Sequence, residues 1–455
     1  MALLIYNLLL ILLTPIILPY LLWRLANGKE DRDHWGERWG TYPPDLAQDT
    51  RSPRIWLHAV SVGEAMAAVP VVRELRKRYP DALLVVSTIT PAGREVARQR
   101  FEAQADAIVY FPLDYPLAVN AALASVRPDL VLLMEWEIWP NFLQAAKRRH
   151  GATIAVLNGR VSDRGLRRGS RGRFFTGPGL AAVDLFAMQS AEDARRAALV
   201  GADPAKVVTT GNTKFDESER MLAPEERAAL RADLGIPAGV PVLLCGSTRN
   251  APSDSGGPDE EVLVAEAITR IRERFPDLFV IVAPRHLERA DAVAAILEGA
   301  GMRVRRRSEG AEGPHLRAPG GYPGVRAAPS DANTLLLDTF GELGRAYAVA
   351  DVAFVGGSLV RQGGQSAFQP LAQGVPALFG PYMNNQRDIA ALSAAEGVGF
   401  PVADAAGLAA EVIRLLSLPD AEREEMAAKA RALIDRNQGV TVQTLDAVEA
   451  AWRRK

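Results

Sequence analysis

Hydrophobic and polar positions divide the chain into an apolar opening and a long alternating body. Residues 1–23, MALLIYNLLLILLTPIILPYLLW, carry no charge, and Arg24 is the first. At helical rise that length matches one bilayer crossing. The run lacks a basic start and no small-x-small cleavage site follows it, so 1–24 reads as a retained membrane anchor. Pro15 and Pro19 each remove a backbone donor and kink a helix, which keeps a re-entrant or interfacial arrangement as the alternative. The next segment, 25–52, mixes both charges with Trp35 and Trp39, residues that commonly sit at headgroup level. A surface helix on the body is the plainer reading of the same segment. Basic residues flank the apolar run on its C-terminal side alone, which points the body toward the cytoplasm.

From about residue 53, short apolar runs alternate with amphipathic stretches. Buried strands are expected over 55–59, 83–88, 107–111, 130–134, 153–157, 185–188 and 207–210. Helices are expected over 71–78, 93–100, 117–126, 142–149 and 191–199. A polar stretch, 216–241, ends in GIPAGVP and marks an interdomain region. The alternation then restarts, with strands over 242–245, 279–283, 303–306, 334–337, 352–355 and 377–379. Helices fall over 261–274, 287–298, 343–350 and 388–396, and two more over 420–436 and 440–452 close the chain. Two Gly/Pro/Ser-rich insertions, 250–258 and 308–331, read as flexible loops. Strand–helix alternation of this kind predicts an α/β protein with two doubly wound parallel sheets. Ligands of such sheets bind at the carboxyl ends of the strands, here expected to face a cleft.

The length, 455 residues, exceeds one ordinary core and supports two domains. A net charge of -1 argues against wholesale nucleic-acid binding. The single cysteine, Cys245, excludes an internal disulfide and fits a reducing compartment. The five histidines are scattered, so a metal site is not expected. Neither GxxxxGK[ST] nor a GxGxxG after a strand occurs.

Several strand ends carry chemistry. WLHAVSVGEAMAAVP places Ser61, Gly63 and Glu64 after the first strand; Gly63 suits a tight turn, and Glu64 either caps the helix or acts on a ligand. A helix dipole holds such a carboxylate ionised, so desolvation has to compensate if it is to serve as a base. LMEWEIWPN sets Glu135 and Glu137 beside Trp136 and Trp139. The stretch 158–173 holds six arginines, including Arg160 and Arg164, against Asp163 alone. Guanidinium forks suit phosphate oxygens, and beside an anchor the expected partner is an anionic lipid headgroup; a solvated basic loop is the bland alternative. Lys214, Arg285 and His286 also follow strands. Gly356, Gly357, Gly363 and Gly364 are expected to bring backbone amides close to an anion, with Glu342 and Gln369 at helix starts as hydroxyl-binding candidates.

In order, HAVSVGE, ME-x-E-[IL]-WPN, N-x-R-[VL]-S, G-x-x-KFD, GST, PRH-x-ER, DT-x-GEL and FVGGSLV-x-x-GG resemble the 3-deoxy-D-manno-octulosonic acid (Kdo) transferases of lipopolysaccharide synthesis. The resemblance spans nearly the whole chain and implies the GT-B fold, two Rossmann-like domains facing a cleft. It implies CMP-Kdo as donor and the phosphorylated lipid A precursor, lipid IVA, as acceptor, with no cofactor, no metal and no nucleic acid. It places an acceptor domain over 53–225, a CMP-sugar donor domain over 226–425 and C-terminal helices over 426–455. Carried over residue by residue, Glu64 matches the general base, and Glu135 and Lys214 match positions that stabilise the transition state. Pro284, Arg285, Phe340, Gly341 and Glu342 match CMP-contacting positions. The motif GGHN-x-x-E is replaced by Gly363-Gly364-Gln365-Ser366-Ala367-Phe368-Gln369, which leaves Ser366, Ala367, Phe368 and Gln369 at donor positions. Amides there lose the charge-assisted part of a hydrogen bond, about half its strength. Arg160 and Arg164 are acceptor-binding candidates.

The implied reaction is inverting transfer at the inner membrane, with the catalytic domains cytoplasmic. Two other classes fit the same features. One is another GT-B enzyme, such as a lipid A disaccharide synthase or a nucleotide-sugar epimerase. The other is a catalytically inactive, membrane-bound lipid-binding protein.

Overall fold

Seven parallel strands form each of two sheets in a computed structural model of the chain, which describes residues 1–28, 30–217, 221–309 and 331–454. Most of the insertion expected over 308–331 lies outside the described residues. Two compact units divide the chain, Met1–Glu217 with Asn437–Lys455, and Ser218–Arg436. The division falls after Glu217, where the expected donor domain began at 226. The last helix, Val440–Arg453, belongs to the first unit.

In the first unit, β1 (Arg54–His58), β2 (Leu83–Thr88), β3 (Ala107–Tyr110), β4 (Leu130–Met134), β5 (Thr153–Gly159), β6 (Leu185–Met188) and β7 (Val207–Thr209) pair in the order β3-β2-β1-β4-β5-β6-β7. Side chains alternate across this sheet, as the two-residue strand period requires. Trp56, Val85 and Leu133 enter one core layer, while Ile55, Leu57, Leu84 and Val86 enter the other. Leu445 and Val448 of the last helix help close the second layer. Asp216 fixes that helix by accepting from the amides of Gly439 at 2.6 Å and Thr441 at 2.5 Å.

The second unit holds β8 (Val242–Thr248), β9 (Phe279–Pro284), β10 (Val304–Arg306), β11 (Thr334–Leu336), β12 (Val352–Val355), β13 (Ala377–Phe379) and β14 (Gly399–Pro401). Their order is β10-β11-β9-β8-β12-β13-β14. In the first sheet the chain runs outward from β1 to β3, and in the second from β8 through β9 to the edge strand β10, with β11 inserted between β9 and β10; each then returns to the other side of its first strand. The switch points therefore lie between β1 and β4 and between β8 and β12, where ligands of doubly wound sheets bind.

Two segments depart from the pattern-based reading. The helix after β1 covers Val62–Arg78, not 71–78, with Pro70 inside it. A proline is normally barred from a helix interior. Here the buried stripe Ala65, Ala67, Ala68 and Val72, packed on the sheet, outweighs the lost hydrogen bond. The basic stretch 158–173 is not a loop either. After β5 it enters a helix, Asp163–Ala182, whose N-cap Ser162 accepts from the Gly165 amide at 3.0 Å. Packing against the helix Pro140–His150 and against the N-terminal helix compensates for its glycines.

Candidate active site

At the first switch point the loop after β1 turns into the helix Val62–Arg78. Ser61 caps it, accepting from the Glu64 amide at 3.4 Å. The Glu64 side chain folds back, so that Oε2 accepts from the Val60 amide at 2.8 Å and Oε1 from the Ser61 hydroxyl at 3.2 Å. Only 8% of Glu64 is exposed. Burial first, then the Glu135 and Glu137 charges, push its carboxyl up to about 8. The desolvation that a base at this position requires is therefore present, and it outweighs the helix dipole. Gly63 makes no tight turn: it lies in the first helical turn with a negative φ, and an added Cβ would meet nothing nearer than the Ser61 hydroxyl at 3.9 Å. The surface next to Glu64 is thus open.

Glu135 follows β4 directly with φ +57°, a left-handed conformation that costs a non-glycine residue about 1 kcal/mol or more. Its amide donates to the Leu157 carbonyl at 2.9 Å, which anchors this turn to β5. Glu137 accepts from the Trp139 indole at 3.1 Å, and burial, then Glu135, push its carboxyl up to about 7. Three carboxyl groups thus share one strand-end neighbourhood. His58, in the same motif as Glu64, is a core residue. It is fully buried, stacks on Phe111 at 3.9 Å, and is held neutral by burial, its value lowered to about 3.

Lys214 lies in the short turn Thr213–Glu217. Thr213 ties that turn to the Glu64 helix through its hydroxyl, which donates to the Ala67 carbonyl at 2.8 Å. The Thr213 amide donates to Asn158 Oδ1 at 3.0 Å. Asn158 itself is fully buried with φ +53°, and among the described residues its Nδ2 has no partner. Among the described residues nothing pairs with the Lys214 ammonium. Arg160 is half-buried just past β5 and makes other interactions. The Arg164 side chain lies outside the described residues.

At the second switch point β8 and β12 converge so closely that a Cβ on Gly356 would strike the Ser247 carbonyl. Contrary to expectation, the glycine loop spends the amides of Gly356, Gly357 and Gly364 within the chain. Glu260 is fully buried, and its carboxylate accepts from the amides of Gly357 at 2.6 Å, Ser358 at 3.0 Å, Leu359 at 2.9 Å and Arg249 at 3.1 Å. Burial still pushes this carboxyl up to about 7. The Gly364 and Gln365 amides are also spent within the chain, on the carbonyls of Gly357 and Gly356. Gly363 and Gly364 instead serve close packing, with φ +88° and +75° against Asn385 and Met383.

Cations remain there. Arg285, after the buried Pro284 that ends β9, keeps part of its surface open. Burial of the rest, then the charge of Arg249, hold its guanidinium below its ordinary range. Arg249 follows β8 after the left-handed Ser247, φ +55°, and its Nε is buried without a partner. A Cβ on Gly357 would touch Arg249 Cδ and Gln365 Nε2, both at 3.4 Å, so these side chains flank the loop. Among the described residues neither guanidinium meets a carboxylate. Reading the sequence missed Arg249, because GSTRN leads straight into the Gly/Pro/Ser-rich insertion.

The remaining donor positions divide. Phe340 is 49% exposed, and Gly341, φ +87°, has nothing within 4 Å of an added Cβ. The Glu342 carboxylate is held by Arg307 Nη2 at 3.0 Å and by the Thr339 hydroxyl. Ala367 and Phe368 are buried, so their side chains belong to the core, whereas Ser366 is half-buried and Gln369 exposed. A cavity of about 410 Å3 in this unit lies at the opposite sheet edge, where Asp351 and Pro376 enter β12 and β13; it holds none of the expected site residues. Among the described residues no three His, Cys, Asp or Glu side chains gather as a metal site.

The family model described as 3-Deoxy-D-manno-octulosonic-acid transferase (kdotransferase) matches residues 33–217. A 3-deoxy-D-manno-octulosonic acid transferase of Bordetella pertussis is 33% identical over 461 residues, covering 98% of both chains. One of Haemophilus influenzae is 28% identical, covering 99% of this chain and 98% of its own. A glycosyltransferase of Rickettsia africae is similar in structure, with TM-score 0.59 at 11% identity, over 89% of this chain and 100% of that one. A putative UDP-N-acetylglucosamine 2-epimerase of Listeria monocytogenes gives TM-score 0.57 at 14% identity, over 89% and 97%. These last two likenesses show the fold, two Rossmann-like units of the GT-B type. With a relative one-third identical along almost its whole length, the chain belongs to the 3-deoxy-D-manno-octulosonic acid transferase family.

Proposed function

We propose that the chain is an inverting glycosyltransferase that moves Kdo from CMP-Kdo to the phosphorylated lipid A precursor, at the cytoplasmic face of the inner membrane. The observation that carries this reading is Glu64: a desolvated carboxyl at a switch point, raised to about 8, beside an open surface. In its ionised form Glu64 takes the proton of an acceptor sugar hydroxyl. That oxygen bonds to the anomeric carbon of Kdo while the bond from that carbon to the CMP phosphate oxygen breaks. The transition state resembles an oxocarbenium ion, which the Glu135 carboxylate is suited to stabilise. The leaving phosphate gains negative charge, and the unpaired Arg249 and Arg285 supply the compensating cations. Lys214 has a free ammonium for the same task in the first unit. Phe340, Gly341, Ser366 and Gln369 are the donor positions still open to a ligand. Glu342 contributes through its ion pair with Arg307, which fixes the turn that carries Gly341.

Transfer of labelled Kdo from CMP-Kdo to tetraacyl lipid acceptor tests this reading. Glu64→Gln preserves the shape and removes the base, and should lower turnover by about 10²–10⁴-fold with the fold intact. Near wild-type turnover in that variant contradicts the assignment. Turnover with a UDP-sugar in place of CMP-Kdo contradicts the donor.

A further inference from the structure

The N-terminal helix α1, Ala2–Ala26, is long and apolar enough to cross a membrane. Its bonds to the first unit argue against crossing. Tyr6, Asn7 and Thr14 interrupt the apolar run, and each of these has a partner on the body. The Tyr6 hydroxyl donates to Asp114 Oδ2 at 2.9 Å, and Asn141 Nδ2 donates to Asn7 Oδ1 at 2.6 Å. The hydroxyls of Thr14 and Tyr115 share a hydrogen bond of 2.9 Å. Tyr6, Leu10 and Thr14 are four residues apart and so lie on one side of the helix. Leu4, Leu8, Ile11, Leu12 and Ile16 occupy the other side and are 57–74% exposed.

The far end of α1 is tied to the same body. Arg24 Nε donates to Glu30 Oε1 at 2.8 Å, and Arg38 Nη2 donates to Glu30 Oε2 at 2.9 Å. Arg38 also bonds the Ile89 carbonyl at the end of β2. From Asn7 to Arg24 the helix rises about 26 Å, close to the roughly 30 Å of a hydrocarbon core. Were α1 to cross, Asp114 and Asn141 would be drawn through that core with it. So would the helix Pro140–His150, whose last turn is Lys147, Arg148, Arg149 and His150. Each charge at mid-membrane is costly even on the mildest scale. Pro15 and Pro19 also leave the carbonyls four residues earlier without helical donors, which water at headgroup depth can serve.

We propose that α1 lies in the plane of one leaflet, its polar stripe on the body and its apolar face in lipid, and does not cross the bilayer. The partner is an anionic leaflet. The arginine-rich helix Asp163–Ala182 packs beside α1, and basic residues at a membrane surface are drawn to anionic lipid. Apolar face and basic neighbour together make the paired signal that stable interfacial binding needs.

Sidedness of the two ends of α1 decides the matter. Cys245 is the chain's own cysteine and is buried, so introduced thiols report cleanly. One full-length variant carries a cysteine on a short Gly/Ser extension ahead of Met1, and a second carries Asn27→Cys. Each is labelled with a membrane-impermeant maleimide in inside-out inner-membrane vesicles and in spheroplasts, with detergent-solubilised protein as the total. Both ends should label in the inside-out vesicles and neither in spheroplasts. Labelling of the extension in spheroplasts alone, with Asn27→Cys labelled in the inside-out vesicles, overturns the proposal. Kdo transfer is not the readout, so failure here leaves the assigned reaction standing.

Discussion

Glu64 and Glu260 occupy equivalent places in the two sheets. Each follows the first strand of its sheet, opens the next helix, is buried, and has a carboxyl pushed well above the usual range, to about 8 and about 7. Their surroundings separate them. Glu260 is fully buried and accepts from four backbone amides, so its acceptor capacity is saturated by the chain. Glu64 accepts from one amide and one hydroxyl, with two other carboxyl groups near it and open surface at Gly63. Raised proton affinity therefore does not by itself identify a base. Unspent hydrogen-bonding capacity beside an accessible surface does. One switch point concentrates proton acceptors, while the other satisfies its buried acid with backbone amides and, among the described residues, leaves two guanidinium groups without a carboxylate.

The largest effect that can break this comparison is loss of transfer in Glu64→Gln, set against retained stability. Glu260→Ala should show the reverse. Four amides lose their acceptor, and a second unit destabilised by about 3 kcal/mol or more should unfold at lower temperature and lower denaturant. If Glu260→Ala melts like wild type, the amide cage is not what holds the glycine loop.

Next comes Arg249→Ala. A lost charge-assisted contact is worth about 1.5–3 kcal/mol, so CMP should bind roughly 10–100-fold more weakly by calorimetry. Cytidine, which lacks the phosphate, should bind as it does to wild type. An equal loss for both ligands would show that Arg249 shapes the loop and does not meet the phosphate.

The smallest expected effect, taken per pH unit, is on stability against pH. Glu64 rises from an ordinary 4.5 to about 8 in the fold, so between those values the folded chain keeps a proton that the unfolded chain releases. Stability should fall as pH rises through that window, by at most about 1.4 kcal/mol per pH unit from this group. Glu64→Gln should flatten the slope, as seen in denaturant midpoints across the range. An unchanged slope would mean that Glu64 titrates normally.

Much of the architecture was legible because strand–helix alternation is written in apolar spacing. Where the reading failed, tertiary contact had overruled a local rule. The helix expected from 71 starts at Val62, because buried alanines carry it back past Pro70. A solvated basic loop was one reading of 158–173, yet packing holds a helix from Asp163. The candidate site was legible in part. Glu64, Glu135 and Lys214 stand at strand ends that the alternation locates. Pairing is invisible in sequence, so the glycine loop looked free although Glu260 holds the amides of Gly357, Ser358 and Leu359, and Arg249 drew no notice although among the described residues no carboxylate pairs with it.

The most direct test of the central claim is the pH dependence of Kdo transfer at saturating CMP-Kdo and acceptor, for wild type and Glu64→Gln side by side. The account predicts that wild-type turnover climbs as pH rises and levels off above a midpoint near 8, while the variant stays low and flat. A wild-type profile without that midpoint, or the same rise in Glu64→Gln, would contradict it.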